Sequence, residues 1–293
     1  MAAIASEVAT DADPTSIGLP DVTGMLIDVV NERAAACFQA TFDHPGDEYL
    51  KAARRVTAYA LRRISDSDAL YHNVEHTVHV TVVGLEILRG KQYIDRDVSR
   101  GDWLNMVVAL LCHDIGYVRG IVPGDENDSV SAGRSDETLA TRPGMSDAVL
   151  MPVHVDRGKS FVADTFSADK LVDVDTVQQN IERTRFPVPD DPQYQQTADY
   201  PGLVRGADLV GQLSDRRYLR KLAAVYFEFE EIGFNENTGY RNPGDLLTNY
   251  PSFYAARVAP YVQESLAYLS ATAAGRDIIG LLNANLDNAR RPS

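Results

Sequence analysis

Apolar residues recur at helical spacing along most of the chain beyond its first twenty residues. A repeat of three to four positions places apolar side chains on one face of an α-helix. No run alternates clearly enough between apolar and polar residues to indicate a β-sheet. The pattern therefore predicts an all-α protein, whose first helices lie in MLIDVVNERAAACFQATF, YLKAARRVTAYALRRI, the segment from His72 to Leu88, and WLNMVVALLC.

The middle of the chain interrupts this pattern. Residues 117–145 contain many Gly, Asp, Ser and Pro residues, which indicates a long loop, with one short helix expected around residues 136–141. Long loops in compact domains often cover active sites. Helical patterning then returns over 168–183, from Leu203 to about Glu231, and over 254–288, where Gly275 and Gly280 are expected to break the helix.

The domain organisation can be inferred from the same patterns. Residues 1–20 are rich in Ala, Ser, Thr, Asp and Pro without periodicity, and predict a flexible N-terminal tail. No internal repeat or linker interrupts the remainder of the chain. We expect one all-α domain over residues 21–293.

Charge and composition exclude several classes of partner. The formal net charge of −14 would repel a phosphate backbone, so neither duplex nucleic acid nor an anionic membrane surface is an expected partner. No apolar run approaches the ~20 residues that span a bilayer, and the N-terminus lacks the features of a signal peptide. Cys37 and Cys112 are interpreted as reduced thiols, Cys112 being buried, which favours a cytoplasmic location.

Three of the six histidines fall close together in LYHNVEHTVHV. On one helix, His72, His76 and His79 would form a single stripe that continues into Val83 and Ile87. A buried imidazole needs a partner for each nitrogen. The stripe is therefore either a set of satisfied core histidines or part of a site.

A further histidine lies in LLCHDIGY, where His113 and Asp114 come after an apolar helix that Gly116 is expected to end. An Asp at a helix C-terminus is unfavourable for the helix dipole, and a nearby cation would remove that penalty. The alternative is a helix-end Asp with a capping His. Farther on, Asp208, Gln212 and Asp215 share one helical face, which indicates either a wet cavity or a solvated surface.

Taken together, His76, His113-Asp114 and Asp208 resemble the H…HD…D signature of the HD-domain metal-dependent phosphohydrolases, an all-α superfamily. The resemblance covers residues 71–215, about half of the chain. The Tyr71-His72-Asn73 opening is also similar to that of the cyclic-nucleotide phosphodiesterases in this superfamily. The resemblance implies an HD-like helical bundle in which long loops cover a metal site.

The resemblance also implies roles for residues. His76, His113, Asp114 and Asp208 would hold a divalent Mn, Fe, Co, Zn or Mg ion, with Asp114 also acting in catalysis, and His72 would protonate the leaving oxygen. The chain departs from the phosphodiesterases shortly after HD, where they have another histidine and this chain has Tyr117 and Arg119. His154 is either a ligand to a second ion bridged by Asp114 or a surface histidine.

These residues predict hydrolysis of a small phosphate ester or nucleotide by metal-activated water. A di-iron oxygenase and a regulatory binding protein with a degenerate site are the alternatives; the oxygenases of this superfamily have two histidines between HD and the last Asp, where this chain has only His154. Candidate substrate-binding residues are Arg157, Lys159 and Gln212, with Arg119 and Arg134 as further cations that either bind phosphate or form salt bridges.

Overall fold

Helices make up nearly all of the regular structure. In the computed structural model, residues 19–42, 47–126 and 128–290 are described, and the tail predicted for residues 1–20 lies almost entirely outside them. The all-α fold class is confirmed. The helices are α1 Val22–Phe42, α2 Glu48–Ile64, α3 Val74–Ile94, α4 Arg100–Cys112, α5 His154–Phe166, α6 Val174–Glu182, α7 Tyr200–Leu213, α8 Tyr218–Glu231, α9 Phe234–Thr238, α10 Pro243–Phe253, α11 Gln263–Ser270 and α12 Ala273–Arg290.

Helix α4 lies at the centre of the fold. Every residue from Trp103 to Cys112 is buried, as expected for a helix that is apolar on all sides and is surrounded by other elements. Its start is fixed by a capping box, in which Ser99 and Asp102 bond reciprocally to each other's backbone. Helices α2, α3, α6 and α7 pack around it. The carboxyl end of α4 therefore carries His113 and Asp114 into the protein interior.

Helices α3 and α7 approach each other closely. Gly211 of α7 faces the backbone of Val80 in α3, and a Cβ at Gly211 would lie 2.8 Å from the Val80 Cα. The absence of a side chain at this position lets the two backbones meet. This contact sets the distance between the residues that α3 and α7 contribute to one site.

The predicted start of α3 at His72 is wrong. The helix begins at Val74, with Asn73 as N-cap, because the Asn73 Oδ1 accepts hydrogen bonds from the backbone N–H groups of Glu75 and His76. His72 lies before the helix in an irregular turn. The single helical stripe expected for the three histidines does not form.

The long loop contains a small sheet where a short helix was expected. Strands β1 (Ser129–Ser131) and β2 (Thr138–Ala140) pair antiparallel, and the turn between them includes Gly133 and Ser135 at positive φ. Buried Val130 packs with Val149, Leu150 and Val153 in a second, small apolar cluster. This local burial stabilises the extended conformation over the helical one.

The points at which helices are interrupted also differ from the prediction. The segment expected to be helical from Leu203 to Glu231 forms α7 and α8, which are separated at residues 214–217. Gly275 and Gly280 do not interrupt α12. Short 3-10 turns occur at Ile115–Tyr117, Asp147–Leu150, Pro192–Tyr194 and Ala259–Tyr261, and a π-helical turn at Tyr254–Val258.

Cys37 and Cys112 are both free and buried. In the described part of the chain, none of the helices combines the length and the apolar character needed to cross a bilayer.

Candidate metal centre

Two imidazoles and two carboxylates from three helical segments meet in the interior. The His76 Nε2 of α3 lies 3.2 Å from the Asp114 Oδ2, 3.3 Å from the Asp208 Oδ1 and 3.4 Å from the His113 Nε2. The His113 Nε2 lies 3.2 Å from the same Asp114 oxygen and 3.7 Å from the Asp208 Oδ1. The structure thus brings together four residues that are spread over more than a hundred positions of the sequence.

The spacing of these atoms suits one shared cation. Ligands bonded at ~2.1 Å to a single ion lie about 3.0–3.4 Å from each other, close to the separations observed here. Two imidazole nitrogens that face each other at 3.4 Å repel unless a proton or a cation lies between them. Among the described residues, neither the Asp114 Oδ2 nor the His76 Nδ1 has a hydrogen-bond partner, although both atoms are buried. The donor set is therefore suited to a divalent ion, and His76, His113 and Asp114 alone already form a group that could hold one.

The tautomer of His113 is fixed for ligation. Its Nδ1 lies 2.8 Å from the Leu110 carbonyl oxygen, so Nδ1 carries the proton and donates. The Nε2 lone pair then faces Asp114 and His76, as in metal-binding histidines whose other nitrogen is hydrogen-bonded.

The electrostatics of the cluster favour positive charge. Burial by itself would lower the pKa of His76, but the adjacent carboxylates of Asp114 and Asp208 raise it to about 10. The pKa of His113 is also raised, since Asp114 outweighs the effect of burial. Burial opposes ionisation of Asp114, yet His113 and His76 hold its pKa well below the ordinary value. Protons or a metal ion would satisfy the same excess of negative charge.

A buried glutamate holds His72 beside this cluster. The His72 Nδ1 lies 2.6 Å from the Glu228 Oε2, and the Glu228 Oε1 accepts hydrogen bonds from the backbone N–H groups of Tyr71 and His72. The rings of His72 and His76 have centroids 5.5 Å apart. Burial lowers the pKa of His72, but Glu228 reverses this and raises it. The imidazolium form is thereby stabilised, with Nε2 as its remaining nitrogen.

Sequence reasoning missed Glu228. Leu222, Val225 and Phe229 mark the apolar face of α8, and Glu228 lies at helical spacing from Val225. An acidic residue bordering an apolar helix face is the signal that could have identified it, because a buried carboxylate needs a cationic or N–H partner.

His154 lies on the other side of Asp114. Its Nε2 is 3.7 Å from the Asp114 Oδ1, the oxygen that does not face His76 and His113, and its Nδ1 is 2.6 Å from the Met151 carbonyl oxygen. Burial lowers the pKa of His154, which keeps the ring neutral. His79, by contrast, does not join the cluster; its ring lies beside Asp215, which is paired with Lys221.

The candidate substrate-binding cations have protein partners. The Arg157 guanidinium is fully buried, and all five of its N–H groups donate to the carbonyl oxygens of Gly116, Val118 and Ser131 or to Asp125. No N–H is left for a phosphate, so the substrate-binding role predicted for Arg157 is replaced by a structural one.

Lys159 points away from the cluster. It forms a 2.7 Å ion pair with Glu182 of α6. It also lines a polar cavity of about 560 Å³, whose lining includes none of the four residues His76, His113, Asp114 and Asp208. The Gln212 amide donates to the Tyr218 hydroxyl at 3.1 Å. Arg119 and Arg134 pair with Asp147 and Glu137 respectively.

The fold and the cluster define an all-α protein with a buried histidine–carboxylate centre. A family model described as Npun_R2479-like matches residues 20–291, and the chain therefore belongs to the Npun_R2479-like family. Neither a curated protein nor a solved structure matches the chain.

Proposed function

We propose that this protein is a metal-dependent phosphohydrolase of the HD type, acting on a small phosphate ester or nucleotide. The observation that carries the proposal is the convergence of His76, His113, Asp114 and Asp208, with their nitrogen and oxygen atoms at the mutual spacing of ligands to one ion. The H…HD…D resemblance and the all-α fold support the same function.

The residues present fit a divalent ion of the borderline or hard class. Neutral imidazoles and carboxylates suit Mn, Fe, Co or Zn, and carboxylates also suit Mg. An ion bound there would activate water for attack and polarise a phosphate oxygen. Asp208 is the most exposed of the four proposed ligands, and we infer that substrate would approach from its side of the cluster.

His72 is the proposed general acid. Glu228 stabilises its protonated form and fixes Nδ1, so the proton on Nε2 is the one available to the leaving oxygen. After transfer, Glu228 keeps the neutral ring oriented until it is reprotonated from solvent. The four candidate cations have protein partners, namely Arg119, Arg134, Arg157 and Lys159. We therefore infer that a bound ion and His72 would compensate the phosphate charge.

A second ion is a further element of the proposal. Asp114 presents one oxygen to His76 and His113 and the other to His154, the arrangement of a bridging carboxylate. In this arrangement His154 would contribute Nε2, because its Nδ1 hydrogen is committed to the Met151 carbonyl oxygen.

Metal analysis of protein purified without chelator, followed by a screen of phosphate mono- and diesters with each metal, tests the function. We expect a divalent ion to co-purify and to be lost in Asp114→Asn. The matched control is His79→Ala, a histidine on the same helix outside the cluster, which should keep the ion. Absence of any co-purifying or restoring ion would refute the proposal, and iron with ester-independent dioxygen consumption would favour an oxygenase.

A further inference from the structure

Three rings are stacked across the candidate site. Tyr117 lies between His72 and His154, with ring centroids 4.8 Å from His72 at an interplanar angle of 7° and 4.7 Å from His154 at 23°. The Tyr117 side chain is almost completely buried. One aromatic ring thus contacts both the proposed general acid and the candidate ligand of a second ion.

The backbone around Tyr117 is held firmly. Tyr117 ends the 3-10 turn that begins directly after Asp114, and Arg157 donates to the carbonyl oxygens on both sides of it, at Gly116 and Val118. A Cβ at Gly116 would overlap the His154 carbonyl oxygen. The turn therefore lies directly against the first residue of α5, and the position of the Tyr117 ring relative to His154 is fixed from both sides.

The ring of Tyr117, not its hydroxyl, makes the contacts. Its two neighbours are the imidazoles of His72 and His154, and both contacts are stacked ring pairs. A neutral ring face can stack on imidazole and stabilises an imidazolium through its π-electrons.

We propose that Tyr117 is a positioning residue that fixes the ring planes of His72 and His154. The Glu228 bond to the His72 Nδ1 fixes one atom of the imidazole but leaves the ring free to tilt about that bond. Stacking at 7° removes this freedom and directs the His72 Nε2 to one point. The proposal rests on the proposed function for the chemistry of His72, whereas the stack itself can be tested separately.

Nuclear magnetic resonance of the histidine ring protons tests the stack without an activity assay. Protons held over the Tyr117 face are shifted upfield by its ring current, and His72→Ala and His154→Ala assign the signals. We expect the upfield shifts in wild type and in Tyr117→Phe, and their loss in Tyr117→Leu. If the Leu variant does not fold, Tyr117→Met fills the volume without offering a ring face. Unchanged shifts in the folded Leu or Met variant would overturn the proposal.

Leaving-group dependence tests the consequence for catalysis. Alkyl esters need a proton from His72 more than nitrophenyl esters do. Tyr117→Leu should therefore lose at least ~10-fold more activity on alkyl than on nitrophenyl esters, as we also expect of His72→Ala. Tyr117→Phe should keep the wild-type ratio. Tyr59→Leu, which removes a stacked pair with Phe161 elsewhere, is the matched control and should leave the ratio unchanged.

Two further results would also decide between the alternatives. A Phe variant as impaired as the Leu variant would assign the role to the hydroxyl and overturn the proposal. If wild-type protein hydrolyses no ester with any metal, the proposed function fails, while the proton shifts still decide whether Tyr117 orients the two imidazoles.

Discussion

His72 and His76 lie four positions apart, yet their surroundings prepare them for different chemistry. The His76 Nε2 faces two carboxylates and a second imidazole, whereas the His72 Nδ1 is bonded to Glu228, a carboxylate outside the cluster. Because a general acid must keep its proton and a metal ligand must lose it, separate carboxylate partners are needed. Asn73 produces this separation by starting the helix between the two histidines.

Substitution of His72 tests whether this residue acts as the general acid or as a metal ligand. We expect His72→Ala to keep the metal content and to lower turnover by ~10²–10⁴-fold, with the smallest effect on esters of nitrophenol. Glu228→Gln should lower turnover in the same substrate order but less severely, since the acid remains. The measurements are the metal content of each variant and its steady-state rates on two esters with different leaving groups. Loss of metal in His72→Ala would make His72 a ligand instead.

His154 distinguishes one ion from two. We expect His154→Ala to reduce the metal content from two ions toward one while the site at His76 and His113 stays filled, because Asp114 would lose the partner of its second oxygen. Metal analysis by mass spectrometry measures the change. A constant metal content with a higher KM would assign His154 to substrate contact, and no change in either would assign it to structure.

At the scale of elements, the close packing of α3 against α7 sets the geometry of the cluster. Asp208 lies on α7 one turn before Gly211, and His76 lies on α3 one turn before Val80. The missing side chain at Gly211 therefore determines how near the Asp208 carboxylate comes to the His76 ring. A residue outside the cluster can therefore set the distances between the candidate ligands.

Gly211→Ala should weaken metal binding without removing a ligand. A Cβ there would lie 2.8 Å from the Val80 Cα, which real contacts do not allow, so α7 must move away from α3. We expect at least ~10-fold weaker affinity in a chelator competition titration. Gly280→Ala is the control, because it adds a methyl group to open space in α12 and should stabilise the helix by about 0.5–1 kcal/mol. Equal affinity in both variants would contradict the proposed packing constraint.

The sequence predicts some elements well and others poorly for physical reasons. The all-α class can be read from periodicity, and the end of α4 just before His113 from its apolar run and Gly116. The start of α3 is missed because apolar periodicity continues through His72, whereas two interactions keep His72 outside the helix. Asn73 caps the helix, and Glu228 accepts hydrogen bonds from the backbone and the ring of His72. The roles of Arg157 and Glu228 depend on partners from distant segments, which one chain read by itself does not reveal.

At the scale of the whole molecule, a partly buried network of ion pairs around Glu182 joins two helices of this acidic chain. Glu182 on α6 receives hydrogen bonds from Arg185, Lys159 and Tyr194. Burial would raise the pKa of Glu182, but these donors lower it to about 2. Through Lys159, these contacts connect α5 to α6.

Glu182→Gln should destabilise the protein in a pH-dependent manner. The folded-state pKa of Glu182 lies below its unfolded value of 4.5, so its contribution is complete above that pH and is lost as the pH falls toward 2. We expect a loss of about 1–3 kcal/mol at pH 7 and almost none near pH 2. Urea unfolding at several pH values measures it. Glu137→Gln, in an exposed pair with Arg134, should cost less than about 1 kcal/mol, and an equal effect of both would contradict the prediction.

The proposed metal centre and its general acid draw residues from about half of the chain, from His72 before α3 to Glu228 on α8. No contiguous fragment shorter than this span contains the complete set, so the binding site and the native fold form together. An ion that binds only the folded state raises the free energy of unfolding with its concentration, by ~2.7 kcal/mol at a hundred times Kd. The supply of metal in the cell would then govern how long each molecule survives proteolysis as well as how fast it works.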